Sequence, residues 1–217
     1  MRTYTRIRVL DRWNAWQVAE QRWPSALLAT VDDYADAVLP RWQPVRRHVE
    51  VFSDLVDPTH DLAPSVEQVE RIIGFARSLA PADRLLLHCA AGISRSAASA
   101  LIVQAAQGRD PAMSLRSLLR IRPQADPNPL LLLYADEVLH DRRPTLLAVW
   151  HVWASTGGRR VPPSTREALD ATPAWSRDRW VYEIGGRADP PADMHRSSPG
   201  GTCHGPARTR SPRRPRS

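Results

Sequence analysis

A cysteine and an arginine with five residues between them, Cys89 and Arg95, form the pair with the clearest chemistry in this sequence. Their segment, His88–Ser96, follows the apolar run Leu85–Leu87 and precedes small residues that favour a helix. In a tight loop between a strand and a helix, backbone N–H groups converge on one point and the helix dipole adds positive potential. Such a cradle fits a phosphate. The residues predicted to contact it are Ala90, Ala91, Gly92, Ile93, Ser94 and Arg95.

Each reactive side chain of this loop suits one role in phosphate chemistry. The field that binds a phosphate also stabilises a thiolate, which makes Cys89 the predicted nucleophile. Arg95 offers a planar fork that grips two phosphate oxygens as charge redistributes in the transition state. Ser96 is predicted to donate a hydrogen bond to the cysteine sulfur and so to ease its departure. Gly92 permits a positive φ and a close approach of the ligand to the backbone.

The elements that must position this loop alternate between strand and helix, which predicts an α/β fold with a mostly parallel central sheet flanked by helices. Leu85–Leu87 reads as a strand buried on both faces, whose carboxyl end carries His88 and Cys89. Ser65 and Gln68 form a capping box for a helix that ends before Pro81. The other predicted elements are strands at Ile7–Leu10, Ala26–Val31 and Val49–Phe52, a helix that places Trp13 and Trp16 in the core, a helix from Ser96 to Gly108, and two more helices after it.

The segment His88–Ser96 resembles the signature loop of the protein tyrosine and dual-specificity phosphatase superfamily, particularly that of small bacterial tyrosine-phosphatase-like proteins. The resemblance continues into Arg122–Asn128, which is similar to the segment after the signature helix in dual-specificity enzymes, and it covers residues 6–145. It implies a phosphatase-like fold and a reaction without metal or cofactor. In that reaction the thiolate attacks phosphorus, and water then hydrolyses the cysteinyl-phosphate.

The resemblance also implies a separate acid that protonates the leaving oxygen, supplied by an aspartate on a loop after the preceding strand. Asp54 is the first choice because it follows the predicted strand Val49–Phe52 directly. Asp57 fits the expected spacing to Cys89 better and the strand end less well. Asp61 is the third candidate in the same loop.

Two further residues have a role by resemblance and a plainer alternative. The ring of His88 is implied to bond to the loop backbone and to help hold the thiolate, although a packed core histidine is a fair alternative. Asn128 is implied to brace the signature loop, and the position between Pro127 and Pro129 equally suits a simple helix cap.

The uncharged loop residues favour a singly phosphorylated substrate, either a phosphorylated protein carrying phosphotyrosine or a small phosphomonoester. Two other functions stay open from the residues alone. One is a pseudophosphatase that binds phosphorylated partners without turnover, which applies if neither Asp54 nor Asp57 reaches the loop. The other is a rhodanese-like sulfurtransferase, a class that resembles a shorter loop with four intervening residues.

The charge of the chain is unevenly distributed. All 30 basic residues are arginine, and 12 of them lie in residues 151–217 against 6 acidic residues there. That segment is rich in Pro, Gly, Ser and Arg, so we expect a catalytic domain over residues 1–150 and a largely disordered basic tail over 151–217. No nucleic-acid motif accompanies the tail, and no specific nucleic acid is expected as a partner.

Cysteine usage and the first residues bear on location. The second cysteine, in Cys203-His204, has too few companions for a metal site, and a disulfide framework is not expected. Neither a signal peptide nor a membrane span is predicted, and no membrane partner is expected. These features together favour a reducing cytoplasm.

Overall fold

The computed structural model describes residues 4–37, 46–139 and 146–155. These residues form four strands, a short 3-10 helix at Tyr34–Asp36 and six α-helices. The strands are β1 Arg6–Leu10, β2 Ala26–Val31, β3 Arg46–Val51 and β4 Arg84–His88. The helices are α1 Arg12–Glu20, α2 Val66–Ser78, α3 Arg95–Ala106, α4 Pro111–Ile121, α5 Pro129–Leu139 and α6 Leu146–Ser155. The predicted α/β class is confirmed.

The sheet is parallel throughout, with strand order β1-β4-β2-β3. Strand β4 lies inside it, and the three leucines Leu85–Leu87 are fully buried, as their unbroken apolar run predicts. The register pairs His88 with Leu10 on β1 and with Ala29 on β2. The chain therefore leaves β4 at the carboxyl edge of the sheet, between two neighbouring strands.

Helices cover both faces of the sheet. Five of them, α2 to α6, pack with one face of the sheet in the main core. Helix α1 packs on the opposite face, where Ala15 and Ala19 contact Leu27 and Leu86. The capping box at Ser65 and Gln68 starts α2 as predicted. Helix α3 is buried at every position from Arg95 to Gln104, so it runs through the middle of the helical layer.

The prediction that Trp13 and Trp16 lie in the core is wrong. Trp13 is 72% exposed and Trp16 is 50% exposed. The face of α1 that packs on the sheet carries alanines, whose small side chains let the helix lie close to the leucines of β2 and β4. The tryptophans are left on the solvent side, where the guanidinium of Arg12 lies 5.3 Å from the ring centre of Trp13.

Three helices follow α3 in the described residues, where two were expected. The third, α6, begins at the buried carboxylate of Asp136 in α5, which accepts bonds from the backbone N–H groups of Leu146 and Leu147 at 2.9 and 3.2 Å. The predicted domain boundary after residue 150 falls inside α6. The rest of the predicted tail, from residue 156 on, lies outside the described residues. None of the helices described has the length and apolar character needed to cross a membrane.

Candidate active site

The loop after β4 surrounds a buried cysteine sulfur with hydrogen-bond donors. Cys89 is 2% exposed. The N–H of Gly92 donates to its Sγ at 3.2 Å, and Ser96 Oγ lies 3.2 Å from the same atom. The structure thus places the predicted serine hydroxyl beside the predicted nucleophile.

The carbonyl groups of four consecutive loop residues are all bonded away from the sulfur. The acceptors are the carbonyls of Ala90, Ala91, Gly92 and Ile93, and their donors are Arg12 N–H at 3.2 Å, Arg122 Nη2 at 2.9 Å, Arg122 Nε at 3.0 Å and Asp126 N–H at 3.0 Å. In a planar trans peptide the C=O and the following N–H point in opposite directions. The N–H groups of residues 91–94 therefore point away from these donors, and the N–H of Gly92 is bonded to the sulfur.

The start of α3 has no side-chain cap. Ser94 is the N-cap residue of this helix, yet its side chain makes no cap hydrogen bond. Its hydroxyl instead donates to Asp54 Oδ1 at 2.7 Å. A helix start without a side-chain cap keeps its first N–H groups for another acceptor, and the helix dipole favours an anionic one.

Gly92 is required at its position by the chain itself. Its φ is +70°, and a Cβ there would lie 2.5 Å from the carbonyl carbon of Leu10 and 2.5 Å from the nitrogen of Asp11. The predicted positive φ is present. The prediction that Gly92 lets a ligand approach the backbone closely is not what the contacts show. The space beside its Cα is filled by the backbone at the end of β1.

The guanidinium of Arg95 is buried, and its two terminal nitrogens are hydrogen-bonded. Nη1 donates to the carbonyl of Phe52 and Nη2 to the carboxylate of Asp32, both at 2.7 Å. Nε is buried and has no hydrogen-bond partner. A guanidinium has five N–H bonds in a plane, with Nε–H and one N–H of Nη2 side by side. That side edge is the one on which two oxygens of a phosphate can be held.

Asp32 is a residue of the candidate site that the sequence analysis missed. It follows β2, and its side chain is 48% exposed while that of Arg95 is almost fully covered. Burial by itself would raise the pKa of Asp32, but the hydrogen bond and charge of Arg95 outweigh it and hold the pKa below its ordinary value. Asp32 is therefore ionised at neutral pH. No local motif marks it, because its partner lies 63 positions further along the chain.

The three candidate acids occupy different places. Asp54 contacts the loop directly through Ser94, and its Oδ1 also accepts a bond from Asn128 Nδ2 at 2.8 Å. The carboxylate of Asp57 accepts from the N–H and hydroxyl of Thr59, within its own turn. Asp61 lines a separate cleft of about 440 Å³ together with Asp32. Of the three, Asp54 is the carboxyl group that the fold brings to the loop.

Asn128 caps α5 and also bonds to the segment that carries Asp54. Its Oδ1 accepts from the N–H groups of Leu130 and Leu131 at 3.0 and 3.1 Å, which caps α5. Its Nδ2 donates to Asp54 and to the carbonyl of Leu55. It braces the segment that carries Asp54, and its contact with the phosphate loop is indirect.

His88 is fully buried at the end of β4. Burial lowers its pKa to about 4, against the hydrogen bond to the Cys89 carbonyl, and the charge of Arg12 adds to the lowering. The ring is neutral at pH 7, and its Nδ1 lies 3.5 Å from the Cys89 carbonyl oxygen. This contact places the ring against the loop backbone, where the resemblance implies it.

A cleft of about 340 Å³ lies beside the loop. Its lining includes Ile93 and Ser94 of the loop, the carboxyl groups of Asp54 and Asp126, and Trp150 of α6. No arginine lines it among the described residues. In the same part of the chain, no group of three or more His, Cys, Asp or Glu side chains is placed to hold a metal ion.

Comparisons with known proteins give matches in structure alone. No protein-family model matches the chain, and no curated protein matches its sequence. Over most of its length the chain is similar in structure to dual-specificity and tyrosine phosphatases. Human DUSP28 is 20% identical with a TM-score of 0.48, over 62% of this chain and 90% of that one. Tk-PTP in its active form is 21% identical with a TM-score of 0.44, over 63% and 92%. DUSP15 is 15% identical with a TM-score of 0.45, over 80% and 96%.

Proposed function

We propose that this protein is a phosphomonoester hydrolase that uses Cys89 as its nucleophile. The observation that carries the proposal is the loop around Cys89, in which the carbonyls of residues 90–93 are all bonded to groups outside the loop and the N–H of Gly92 donates to the sulfur. A ring of preorganised N–H donors around a buried thiol suits a tetrahedral oxyanion. The unpartnered Nε of buried Arg95 supplies a further donor for it.

The first step transfers the phosphoryl group to sulfur. The thiolate of Cys89 attacks phosphorus, an S–P bond forms and the bond from phosphorus to the leaving oxygen breaks. The Nε and Nη2 edge of Arg95 holds two phosphate oxygens through this change. Asp54 gives its proton to the leaving oxygen. Because Ser94 and Asn128 both bond to Oδ1 of Asp54, its Oδ2 is the oxygen left to carry that proton.

The second step returns the enzyme to its starting state. Asp54, now ionised, takes a proton from water as the water oxygen attacks phosphorus. The S–P bond breaks, inorganic phosphate forms and the sulfur leaves as a thiolate. The hydroxyl of Ser96, 3.2 Å from Sγ, stabilises that thiolate by donating a hydrogen bond.

The substrate we propose is singly phosphorylated, with phosphotyrosine in a protein as the first choice and a small phosphomonoester as the second. The loop has no charged side chain between Cys89 and Arg95 to meet an additional phosphate. The adjoining cleft adds two carboxyl groups, Asp54 and Asp126, which would repel one. A thiol nucleophile needs a reducing compartment, and we therefore propose the cytoplasm as the site of action.

The test is release of phosphate from an aryl phosphate by reduced protein without added metal. The parent is compared with Cys89→Ser and with Cys203→Ser, which is the same substitution at the other cysteine of the chain. We expect the parent and the Cys203 variant to turn over and the Cys89 variant to be inactive. Arg95→Ala should be inactive as well, because the transition state loses its clamp.

Two results would contradict the proposal in different ways. Turnover by Cys89→Ser at the parental rate would exclude the cysteinyl-phosphate mechanism. A folded, reduced parent that binds phosphate and releases none from any aryl phosphate would identify a phosphate-binding pseudophosphatase.

A further inference from the structure

The cleft of about 340 Å³ beside the phosphate loop shares residues with that loop. Ile93 and Ser94 belong to both, and the carboxyl group of Asp54 lies in the wall of the cleft. A ligand on the loop is indicated independently by Arg95, which is 3% exposed and whose Nε has no hydrogen-bond partner among the described residues. A substrate whose phosphate lies in the loop therefore brings its neighbouring groups to this cleft.

The cleft carries negative charge that its own walls do not balance. Asp54 and Asp126 line it, and no arginine or histidine of the described residues does. Asp126 is exposed, and its carboxylate makes no hydrogen bond or ion pair within the described part of the chain. In the proposed reaction Asp54 carries a proton when the substrate binds, so Asp126 is the charge that remains.

Asp126 is fixed relative to the loop. Its backbone N–H donates to the carbonyl of Ile93 at 3.0 Å. The next residue, Pro127, is buried, and the walls also include Val56 and Pro129. The cleft therefore presents an apolar surface with one carboxylate held at its border.

An arginine or lysine side chain suits such a surface. Its methylene stem packs on apolar groups while its charged end reaches a carboxylate. An acidic side chain would be repelled by Asp126. An apolar side chain would take water from the carboxylate of Asp126 without pairing it, which costs free energy. Charge and polarity thus favour a cation over the other kinds of side chain.

We infer that the cleft binds a basic side chain of the substrate, an arginine or lysine within about two residues of the phosphotyrosine, and that Asp126 selects it. The inference rests on the proposed function for the position of the phosphotyrosine. It narrows the substrate class of that site to phosphopeptides with a cationic neighbour. An ion pair at an exposed position of this kind changes affinity by up to about fivefold.

The test measures the Kd of fluorescently labelled phosphotyrosine peptides for the full chain carrying Cys89→Ser, which cannot form the cysteinyl-phosphate. Arginine is placed at each neighbouring position in turn, and each peptide is compared with one that has citrulline, the uncharged analogue of arginine, or glutamate at that position. We expect arginine at the favoured position to bind about fivefold more tightly than citrulline, and glutamate to bind more weakly than both. The preference for arginine should shrink as salt is added.

Two substitutions of Asp126 separate its charge from its place in the structure. Asp126→Asn should remove the preference for arginine over citrulline, because both peptides then meet a neutral wall. Asp126→Arg should reverse the preference, so that the glutamate peptide binds more tightly than the arginine peptide. Asp61→Asn, the same loss of charge at an exposed aspartate of the other cleft, is the matched control and should keep the preference. A merely structural role of Asp126 would weaken all three peptides equally.

Equal Kd values for the arginine and citrulline peptides at every position would overturn the inference, and so would equal effects of Asp126→Asn and Asp61→Asn. Absence of binding of any of the phosphopeptides to a folded chain would overturn it as well. Aryl phosphate hydrolysis by the parent is measured separately. Turnover without a preference for arginine refutes only this inference, whereas the preference without turnover refutes only the hydrolase activity. Circular dichroism verifies that each variant is folded.

Discussion

Replacing Gly92 by alanine would put a methyl group into space that the backbone at the end of β1 already fills. The added Cβ would lie 2.5 Å from the carbonyl carbon of Leu10, 2.5 Å from Asp11 N and 2.7 Å from the Leu10 carbonyl oxygen. These neighbours are backbone atoms, which cannot rotate away as the end of a flexible side chain can. Leu10 is also held in register with His88. Either the end of β1 or the phosphate loop must therefore shift.

The cost has two parts. An L-residue at φ +70° costs about 1–2 kcal/mol relative to glycine. Overpacking of a closely packed site adds about 1–3 kcal/mol. We therefore expect Gly92→Ala to lower the free energy of unfolding by about 2–5 kcal/mol.

Gly74 is the matched control, because a methyl group added there has free space around it. It is exposed in the middle of α2, and a Cβ there meets no atom within 4 Å. Gly74→Ala should raise the free energy of unfolding by about 1 kcal/mol, because alanine has the higher helix propensity.

Urea unfolding of the parent and both variants, followed by circular dichroism, measures the two changes. The rate of aryl phosphate hydrolysis, at a temperature where all three proteins are folded, measures how far each substitution disturbs the loop. We expect Gly92→Ala to lose most of its turnover and Gly74→Ala to keep it. A Gly92→Ala protein with parental stability and turnover would refute the reasoning that the contact with Leu10 and Asp11 shapes the loop.

Three further predictions concern single side chains. Asp54→Ala should slow alkyl phosphates far more than aryl phosphates with good leaving groups, since only the former need a strong acid; the same pattern in Asp57→Ala would reassign the acid. Asp32→Ala should lower kcat/KM about fivefold. This corresponds to about 1 kcal/mol for the lost hydrogen bond to Arg95, a value kept low because Asp32 is half-exposed. A rise in kcat/KM would show that the charge of Asp32 merely repels substrate. Burial lowers the pKa of His88 to about 4. Below about pH 6.5 the unfolded chain therefore binds a proton that the folded chain does not, and the free energy of unfolding falls as the pH falls. Between pH 6.5 and 5 the parent should lose about 1.5 kcal/mol more than His88→Asn in urea unfolding, and equal losses would contradict the neutral buried ring.

The parts of the fold that the sequence predicts are those encoded in contiguous residues. A run of leucines marks β4 because a strand buried on both faces needs apolar residues at every position. The loop His88–Ser96 follows it directly, so its position at the carboxyl edge of the sheet could be read without knowing the rest of the fold. The capping box at Ser65 and Gln68 is local in the same sense.

Other features depend on contacts between distant segments, and the pattern along the chain does not report them. The apolar spacing of Trp13 and Trp16 suggests a buried face, but α1 packs through alanines because only a small side chain fits against Leu27 and Leu86. Asp32 follows β2 whereas Arg95 begins α3, and Asp32 has no motif of its own. In both cases the deciding quantity is the distance between two elements, which composition and periodicity do not contain.

The orientation of the phosphate loop is set from outside the loop. Its carbonyls are held by the backbone at the start of α1, by Arg122 after α4 and by the backbone of Asp126. Donors that already face the site need no reorganisation when charge develops on a bound phosphate, which is where electrostatic stabilisation is largest. For the proposed activity, we therefore expect Arg122 to influence turnover through the direction of N–H groups that it does not itself contact. The residues that control such a reaction accordingly extend beyond the segment between Cys89 and Arg95, to every part of the chain that turns a loop carbonyl outward.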